Sequence, residues 1–453
     1  MAKPFQGKSI AILGFGREGK ALFQYLKKTG TPFSCITICD QNPIESVRCA
    51  THTGASYLAG LEQFDVIFKS PGIPTKLPEI KRALRKGITL SSPTNLFFDL
   101  CKGTIVGVTG TKGKGTTATM LCSILKAAHK RVHLVGNMGK PALSCLPVIK
   151  KEDIVIMELS SFQLQHLRIS PHIAIVLDIT TDHLDHHKTV REYRLAKSHI
   201  VAHQTTRDIA VLDAQSPVAR TFARHTPAQI VFFGKAKTRG TLPRGVWIDG
   251  NEIISITRGQ RSPLLATSSL RVPGIHNARN AAAAIAAARA LLISPSAIQK
   301  GIQSFRGNAH RLEFVAEKKG VRFYNDSAGT NPDATIAALR AFREPKLLIV
   351  GGRNKGFSYD ALAKELTAQH MRGVVLLGET APLLYNTIKK IAPKKFLPCV
   401  IRAATLPEAV EKASALSVPG DVVVYSPAAT SFDMFHNYEE RGTIFKNLIR
   451  MLS

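Results

Sequence analysis

The sequence predicts an α/β protein with largely parallel sheets, organised in three sections. Three observations carry this. Short β-branched runs alternate with helical stretches almost throughout its 453 residues. Two of the strand-like runs feed directly into glycine-rich turns that open helices. Several others end in clusters of small and hydroxyl residues, where open α/β sheets place their ligands. The length suits about three domains, and 44% hydrophobic with 21% charged residues fits a globular chain with a sizeable core.

The first section runs from Lys8 to about Pro93. A short apolar run at 10–13 leads into Gly14-Phe15-Gly16-Arg17-Glu18-Gly19 and then a helix. A second strand ends in Asp40, about 20 residues on, as in a dinucleotide-type βαβ unit. The plainer alternative is a tight βα turn with no ligand.

The second section, from about Thr94 to about Phe305, holds the most informative stretch. Residues 104–108 read as a strand. Gly110-Thr111-Lys112-Gly113-Lys114-Gly115-Thr116-Thr117 follows, and 118–130 reads as a helix. Strand, glycine loop with a lysine, and helix N-terminus together cradle phosphate. The general P-loop pattern asks for Gly at Val108 and Ser or Thr at Gly115. The second departure matters more, because that hydroxyl helps hold Mg²⁺. The other strands here are 154–157, 173–177 and 209–212. The first ends in Glu158, a carboxylate suited to Mg²⁺ if it shares the loop's sheet, or otherwise a surface acid. The second leads into Asp178 and on to Asp182-His183-Leu184-Asp185-His186-His187, without zinc-ligand spacing. His186 and His187 read as solvated loop residues. Lys197, on the next helix, reads by itself as an exposed helix lysine.

The third section begins near Arg306, with strands 321–324, 347–350, 374–377 and 422–425. Three strand ends carry similar loops: Asn325 to Pro332, Gly351 to Gly356, and Ser426 to Asp433. Small residues, hydroxyls and Lys355 suit a small anionic ligand held by backbone amides and a cation. Three unrelated capping loops are the alternative.

Net charge is +29, from 61 Lys and Arg against 32 Asp and Glu. The basic residues are scattered as singles and pairs, and there is one Trp, so no base-stacking platform stands out. A solvated basic surface that steers anionic small substrates is expected, with no specific nucleic-acid partner. The seven cysteines form no C-x-x-C pair, and most read as buried thiols in a reducing compartment. The run at 10–13 is too short for a signal peptide. The apolar stretch 281–293, broken by Arg289, is too short to span a bilayer. A cytoplasmic protein without a transmembrane segment is expected.

In this order, the segments resemble the Mur ligases across essentially the whole chain. The resemblance rests on the glycine loop and on Glu158-Leu-Ser-Ser-Phe-Gln-Leu164. It also rests on Val135-Gly-Asn-Met-Gly139, Gly274-Ile-His-Asn-Ala-Arg-Asn280, His310-Arg311, Asn325-Asp-Ser327 with Thr330-Asn331, and Ser426-Pro-Ala-Ala-Thr-Ser431. The Glu158 to Leu164 run points to the branch that adds D-glutamate. The resemblance implies a Rossmann-like N-terminal domain (1–93) and a central P-loop ATPase-type domain with a mostly parallel sheet (94–305). A C-terminal Rossmann-like domain (306–453) would take the incoming amino acid. It implies ATP-dependent ligation of D-glutamate to UDP-N-acetylmuramoyl-L-alanine through an acyl phosphate, in peptidoglycan synthesis, by a monomer. Another Mur-type or folylpolyglutamate-type ligase, or a catalytically impaired nucleotide-binding homologue, is the alternative.

Site residues follow from the same resemblance. Residues 110–117 with Asn277, Asn280, Arg311 and Asp326 would contact ATP, Lys114 gripping its phosphates. Glu158 and His183 would hold Mg²⁺, joined by Lys197 once carbamylated by CO₂. Thr116 or a water is expected to replace the hydroxyl missing at Gly115. Arg17, Glu18, Asp40, Gly72, Asn137 and Ser160 would bind the UDP substrate. Thr330, Lys355, Ser431, Phe432 and Tyr438 would line the D-glutamate pocket. Ala328 stands where the family usually has lysine, and nearby Lys112 is a candidate to offset it.

Overall fold

The computed structural model describes residues 5–30, 32–45, 47–136, 140–180, 187, 189–236, 241–367, 370–391 and 399–452. His183 and Asn137 lie outside them. Three sheets order the chain, as an α/β reading requires. The chain divides into two compact units, Met1–Thr267 with Arg279–Ile302, and Ser268–Ala278 with Gln303–Ser453.

The first unit holds two sheets. The N-terminal one is fully parallel, in spatial order Ala50–Thr53, Cys35–Asp40, Ser9–Leu13, Val66–Lys69, Thr89–Ser91. The strand that feeds the Gly14 turn is therefore central, and its carboxyl end is where a ligand of such a sheet sits. In the second sheet, Thr104–Thr109 lies between Ile154–Glu158 and Ile173–Val176, paired in parallel with both. Val132–Gly136 closes that edge. An antiparallel ribbon of Gly245–Asp249, Glu252–Thr257 and Gln260–Ala266 ends the other. Strands buried on both faces need apolar side chains throughout, and Ile154, Val155, Ile156 and Met157 supply them.

The helix after the glycine loop runs Lys114–Ala127, four residues earlier at its start than the propensity of 118–130 suggests. Gly113, with φ +85°, turns the backbone straight into it. The apolar stretch around 281–293 is a buried helix, Ile275–Ala290, with Ala281 to Ala288 almost wholly shielded. Among the described residues, no helix is long and apolar enough to cross a membrane.

The second unit has a six-stranded sheet ordered Glu313–Lys318, Val321–Asn325, Val422–Tyr425, Lys346–Gly351, Met371–Leu377, Cys399–Ala403, with only the first pairing antiparallel. Its alternation is the period-2 rule in full. Leu348, Val350, Val374 and Leu376 join one core with Leu339, Leu362 and Leu384 from helices. Leu347, Ile349, Val375 and Leu377 join another with Ala409, Phe445 and Ile449.

The cysteines correct one expectation. Only Cys39 and Cys122 are buried, while Cys35 and Cys399 are exposed. Burial pushes the Cys39 thiol up to about 12, which suits packing rather than reactivity.

Candidate active site

In the first unit, the loop after Thr104–Thr109 is fixed from beneath by hydrogen bonds. Thr111 N–H donates to the Asp178 carbonyl (2.8 Å), and Thr111 Oγ1 lies 3.1 Å from Tyr193 OH. A Cβ on Gly113 would strike Asn280 Oδ1, so the loop closes against Asn280 only because position 113 has no side chain. Thr117 Oγ1 also donates to Asn280 Oδ1 (3.4 Å), which ties that sequence-predicted asparagine to the loop. Lys112 is exposed, and Gly115 and Thr116 are partly so.

Two lysines converge on one oxygen. Lys114 Nζ donates to the carbonyls of Gly110 (3.0 Å) and Thr111 (2.9 Å). Lys197 Nζ donates to the same Gly110 carbonyl (2.9 Å) and to Thr109 Oγ1 (3.3 Å). Lys197 is 2% exposed and sits over the Tyr193 ring, 4.8 Å from its centroid. The reading of Lys197 as an exposed helix lysine is therefore corrected: its helix, Val190–Ala202, turns it into the interior against the glycine loop. Glu158 ends its strand in register with Val108 and is buried, so it is not a surface acid.

His187 needs the same correction. It is fully buried, stacked on Phe162 with centroids 5.3 Å apart and a 9° interplanar angle. Its Nε2 is 2.9 Å from Ser161 Oγ, and its ring meets Tyr193 edge-on. His186 lies outside the described residues.

A cleft of about 490 Å³ joins these groups to the N-terminal turn. Arg17, Glu18, Gly72, Lys114, Ser160 and Lys197 all line it. Burial pushes the Glu18 carboxyl up, opposed by Arg17. Asp40, the trailing acid, is engaged by its own turn: its carboxylate accepts from Phe15 N–H (2.6 Å) and Asn42 N–H (2.8 Å). Ser160 caps its helix in a reciprocal box with Gln163 while still facing the cleft. One lining residue and one residue next to the lining escaped sequence reasoning. Tyr193 could have been found from its place one helical turn before Lys197. Lys69, buried beneath the cleft turn, donates to the carbonyls of Ser70 (3.2 Å) and Ile73 (2.6 Å). Burial lowers its ammonium to about 8.

In the second unit the three sequence-predicted loops come from three adjacent parallel strands, Val321–Asn325, Val422–Tyr425 and Lys346–Gly351. They are stitched together. Gly351 N–H donates to the Pro427 carbonyl (2.9 Å), Ala428 N–H to Gly329 (2.9 Å), and Arg353 and Thr430 exchange backbone bonds at 3.0 Å. Ser426 Oγ donates to Asp326 Oδ2 (2.7 Å), and Leu312 N–H donates to Asp326 Oδ1 (3.0 Å). Burial pushes the Asp326 carboxyl up to about 6 against these bonds. Ser431 is buried, Thr330 partly so, and Phe432 and Tyr438 are exposed. Lys355 Nζ stands 5.9 Å from the Phe432 ring centroid. Arg311 is exposed, and Asn277 is buried with its Nδ2 donating to the Pro273 carbonyl (2.7 Å).

A glycine loop that opens a helix, lysines converging on it and a strand-end carboxylate form the arrangement of a phosphate-binding P-loop site. Residues 8–92 match the MurD-like N-terminal domain of Mur ligases, 108–288 the Mur ligase middle domain, and 310–429 the Mur ligase glutamate ligase domain. The chain is 37% identical to the UDP-N-acetylmuramoylalanine–D-glutamate ligase of Symbiobacterium thermophilum, covering 98% of both. It is 36% identical to the one of Pelotomaculum thermopropionicum, covering 100% of this chain and 99% of the relative. The chain belongs to the Mur ligase family. Its fold is shared with MurC from Thermotoga maritima, a UDP-N-acetylmuramate-alanine ligase (TM-score 0.57, 19% identity, 98% and 99% covered). It is also shared with the Thermotoga maritima MurF ligase solved in complex with ADP (TM-score 0.55, 21% identity, 100% and 97% covered).

Proposed function

We propose that this chain joins D-glutamate to UDP-N-acetylmuramoyl-L-alanine at the expense of ATP, in peptidoglycan synthesis. Residues 1–93 bind the uridine substrate, 94–305 bind ATP, and 306–453 bind the amino acid. The observation that carries the reading is the single cleft in which Arg17 and Gly72 meet Lys114, Ser160 and Lys197. Of the residues expected to bind the uridine substrate, Arg17, Glu18, Gly72 and Ser160 line it together with Lys114 and Lys197. The full-length relatives named for this reaction support it further.

In the first step the L-alanyl carboxylate oxygen attacks the γ-phosphorus of ATP and ADP leaves, forming an acyl phosphate. In the second, the D-glutamate nitrogen attacks that carbonyl carbon, phosphate leaves, and the nitrogen loses a proton. Lys114 and the loop amides hold and neutralise the phosphates, and the Lys114–Ala127 helix N-terminus faces them. Asn280 braces the loop. Arg17, Glu18, Gly72 and Asn137 orient the uridine substrate. In the second unit Asp326 and Arg311 serve the nucleotide, and Thr330, Lys355, Ser431, Phe432 and Tyr438 hold the amino acid. The work is positioning and charge neutralisation.

The donor set suits Mg²⁺. Glu158 offers a buried carboxylate at the strand end beside the loop, and hard oxygen donors are what that ion takes. Lys197 as an ammonium repels a cation; as a carbamate it adds an oxygen ligand. His183 and the Thr116 hydroxyl complete the proposed set. Among the described residues, which do not include His183, no three His, Cys, Asp or Glu side chains cluster as a metal site. When bound, Mg²⁺ neutralises charge on the transferring phosphoryl group.

The test is phosphate release from ATP with UDP-N-acetylmuramoyl-L-alanine, with D-glutamate present or withheld. D-glutamate-dependent release is expected. No release with D-glutamate, L-glutamate, L-lysine or diaminopimelate would defeat the ligase reading.

A further inference from the structure

Arg441 is 1% exposed, the largest side chain so thoroughly buried among the described residues. Its Nε donates to Ser327 Oγ (3.0 Å), and its Nη2 donates to the carbonyls of Ser327 (2.8 Å) and Ala429 (3.2 Å). Nη1 is buried with no hydrogen-bond partner. It lies 3.2 Å from where a Cβ on Gly352 would stand, so it backs directly onto the third loop. One guanidinium thus touches Ser327, Ala429 and Gly352, one residue from each of the three strand-end loops.

Burying a charge costs several kcal/mol unless it is paired, and guanidinium does not escape by losing its proton. Here it meets carbonyls and a hydroxyl, and the Asp433 carboxylate acts on its charge without hydrogen-bonding to it. Asp433 Oδ1 and Tyr425 OH are also buried without partners. The loops Arg441 spaces carry Thr330, Lys355 and Ser431 within three residues of its contacts.

We propose that Arg441 is a positioning residue for the amino-acid pocket. It sets the spacing of the three loops that carry the residues proposed to hold the amino acid. This rests on the reading that these loops take D-glutamate.

The experiment titrates D-glutamate, ATP and the uridine substrate separately in the phosphate-release assay, for wild type, Arg441→Lys and Ser327→Ala, with thermal melts alongside. Ser327→Ala removes the Nε acceptor and the Ser327 Oγ bond to the Tyr438 carbonyl, and keeps the charge. Arg441→Lys is expected to raise the KM for D-glutamate by about tenfold or more, and Ser327→Ala by about three- to tenfold. Both should leave the other two KM values within about twofold, and a lower melting temperature is expected of either because a buried group loses its hydrogen-bond partner. An unchanged D-glutamate KM in a folded variant overturns the assignment. So does a parallel rise of all three KM values, which marks a merely structural role. If Arg441→Lys does not fold, Ser327→Ala decides. Absence of D-glutamate-dependent release in the wild type is a separate result: it overturns the ligase reading, and this one with it.

Discussion

The shared Gly110 carbonyl makes a sharp prediction about Lys197. Two ammonium nitrogens at 3.0 Å and 2.9 Å from one oxygen are at most about 6 Å apart. At an effective dielectric constant of about 20, their repulsion is about 3 kcal/mol. Carbamylation of Lys197 by CO₂ converts the cation to an anion and reverses the sign, a swing of about 6 kcal/mol before desolvation opposes it. If half survives, carbamate occupancy rises by about 100-fold over an isolated lysine. Activity is therefore expected to fall in CO₂-depleted buffer and return with bicarbonate. Protein incubated with ¹³C-bicarbonate should show a carbamate carbon resonance that Lys197→Arg lacks. Lys114→Met should weaken that resonance, because the attracting charge is gone. Full activity in CO₂-free buffer with no such resonance would refute the charge argument, as would a Lys114→Met protein carbamylated as fully as wild type.

Two further outcomes follow from the geometry. Gly113→Ala should raise the KM for ATP by about 30-fold or more, since a left-handed alanine costs about 1–2 kcal/mol and its Cβ displaces Asn280; steady-state kinetics with ATP varied reads it. Asp326 has a folded-state pKa of about 6, above its ordinary 3.8, so the unfolded chain ionises first and stability falls as pH rises from about 4 to 6. Asp326→Asn should flatten that limb in thermal melts and stabilise the protein by on the order of 1–3 kcal/mol at pH 7, at the expense of ATP use; a lower melting temperature at pH 7 than wild type would sink the argument.

Much of the frame was legible in the chain because it is written locally. A β-branched run such as 154–157 or 374–377 states its own strand, and alternation such as Leu347 against Leu348 states that both faces are covered. The glycine loop was legible for a related reason: its residues are contiguous, and their chemistry needs no distant partner to be recognised. The helix start was misplaced because Gly113's conformation, rather than side-chain propensity, decides where that helix begins. Three loops were legible one by one, but their adjacency belongs to strand order, which local pattern does not carry.

The misread residues share one cause. Lys197 and His187 look like surface side chains in any local window. Their burial is imposed by partners 87 and 26 positions away, Gly110 and Ser161. Arg441 is more extreme, held by Ser327 across 114 positions. A basic side chain is rarely interior unless something compensates it, so its burial is information that only the fold can reveal. In this chain the two most buried cations, Lys197 and Arg441, lie against the phosphate loop and behind the three strand-end loops. Both are places where the proposed reaction brings anions. A fold that merely needed filler there would do better with leucine. The burial of each cation is therefore read as serving its site, and the bicarbonate and D-glutamate titrations ask that of each separately.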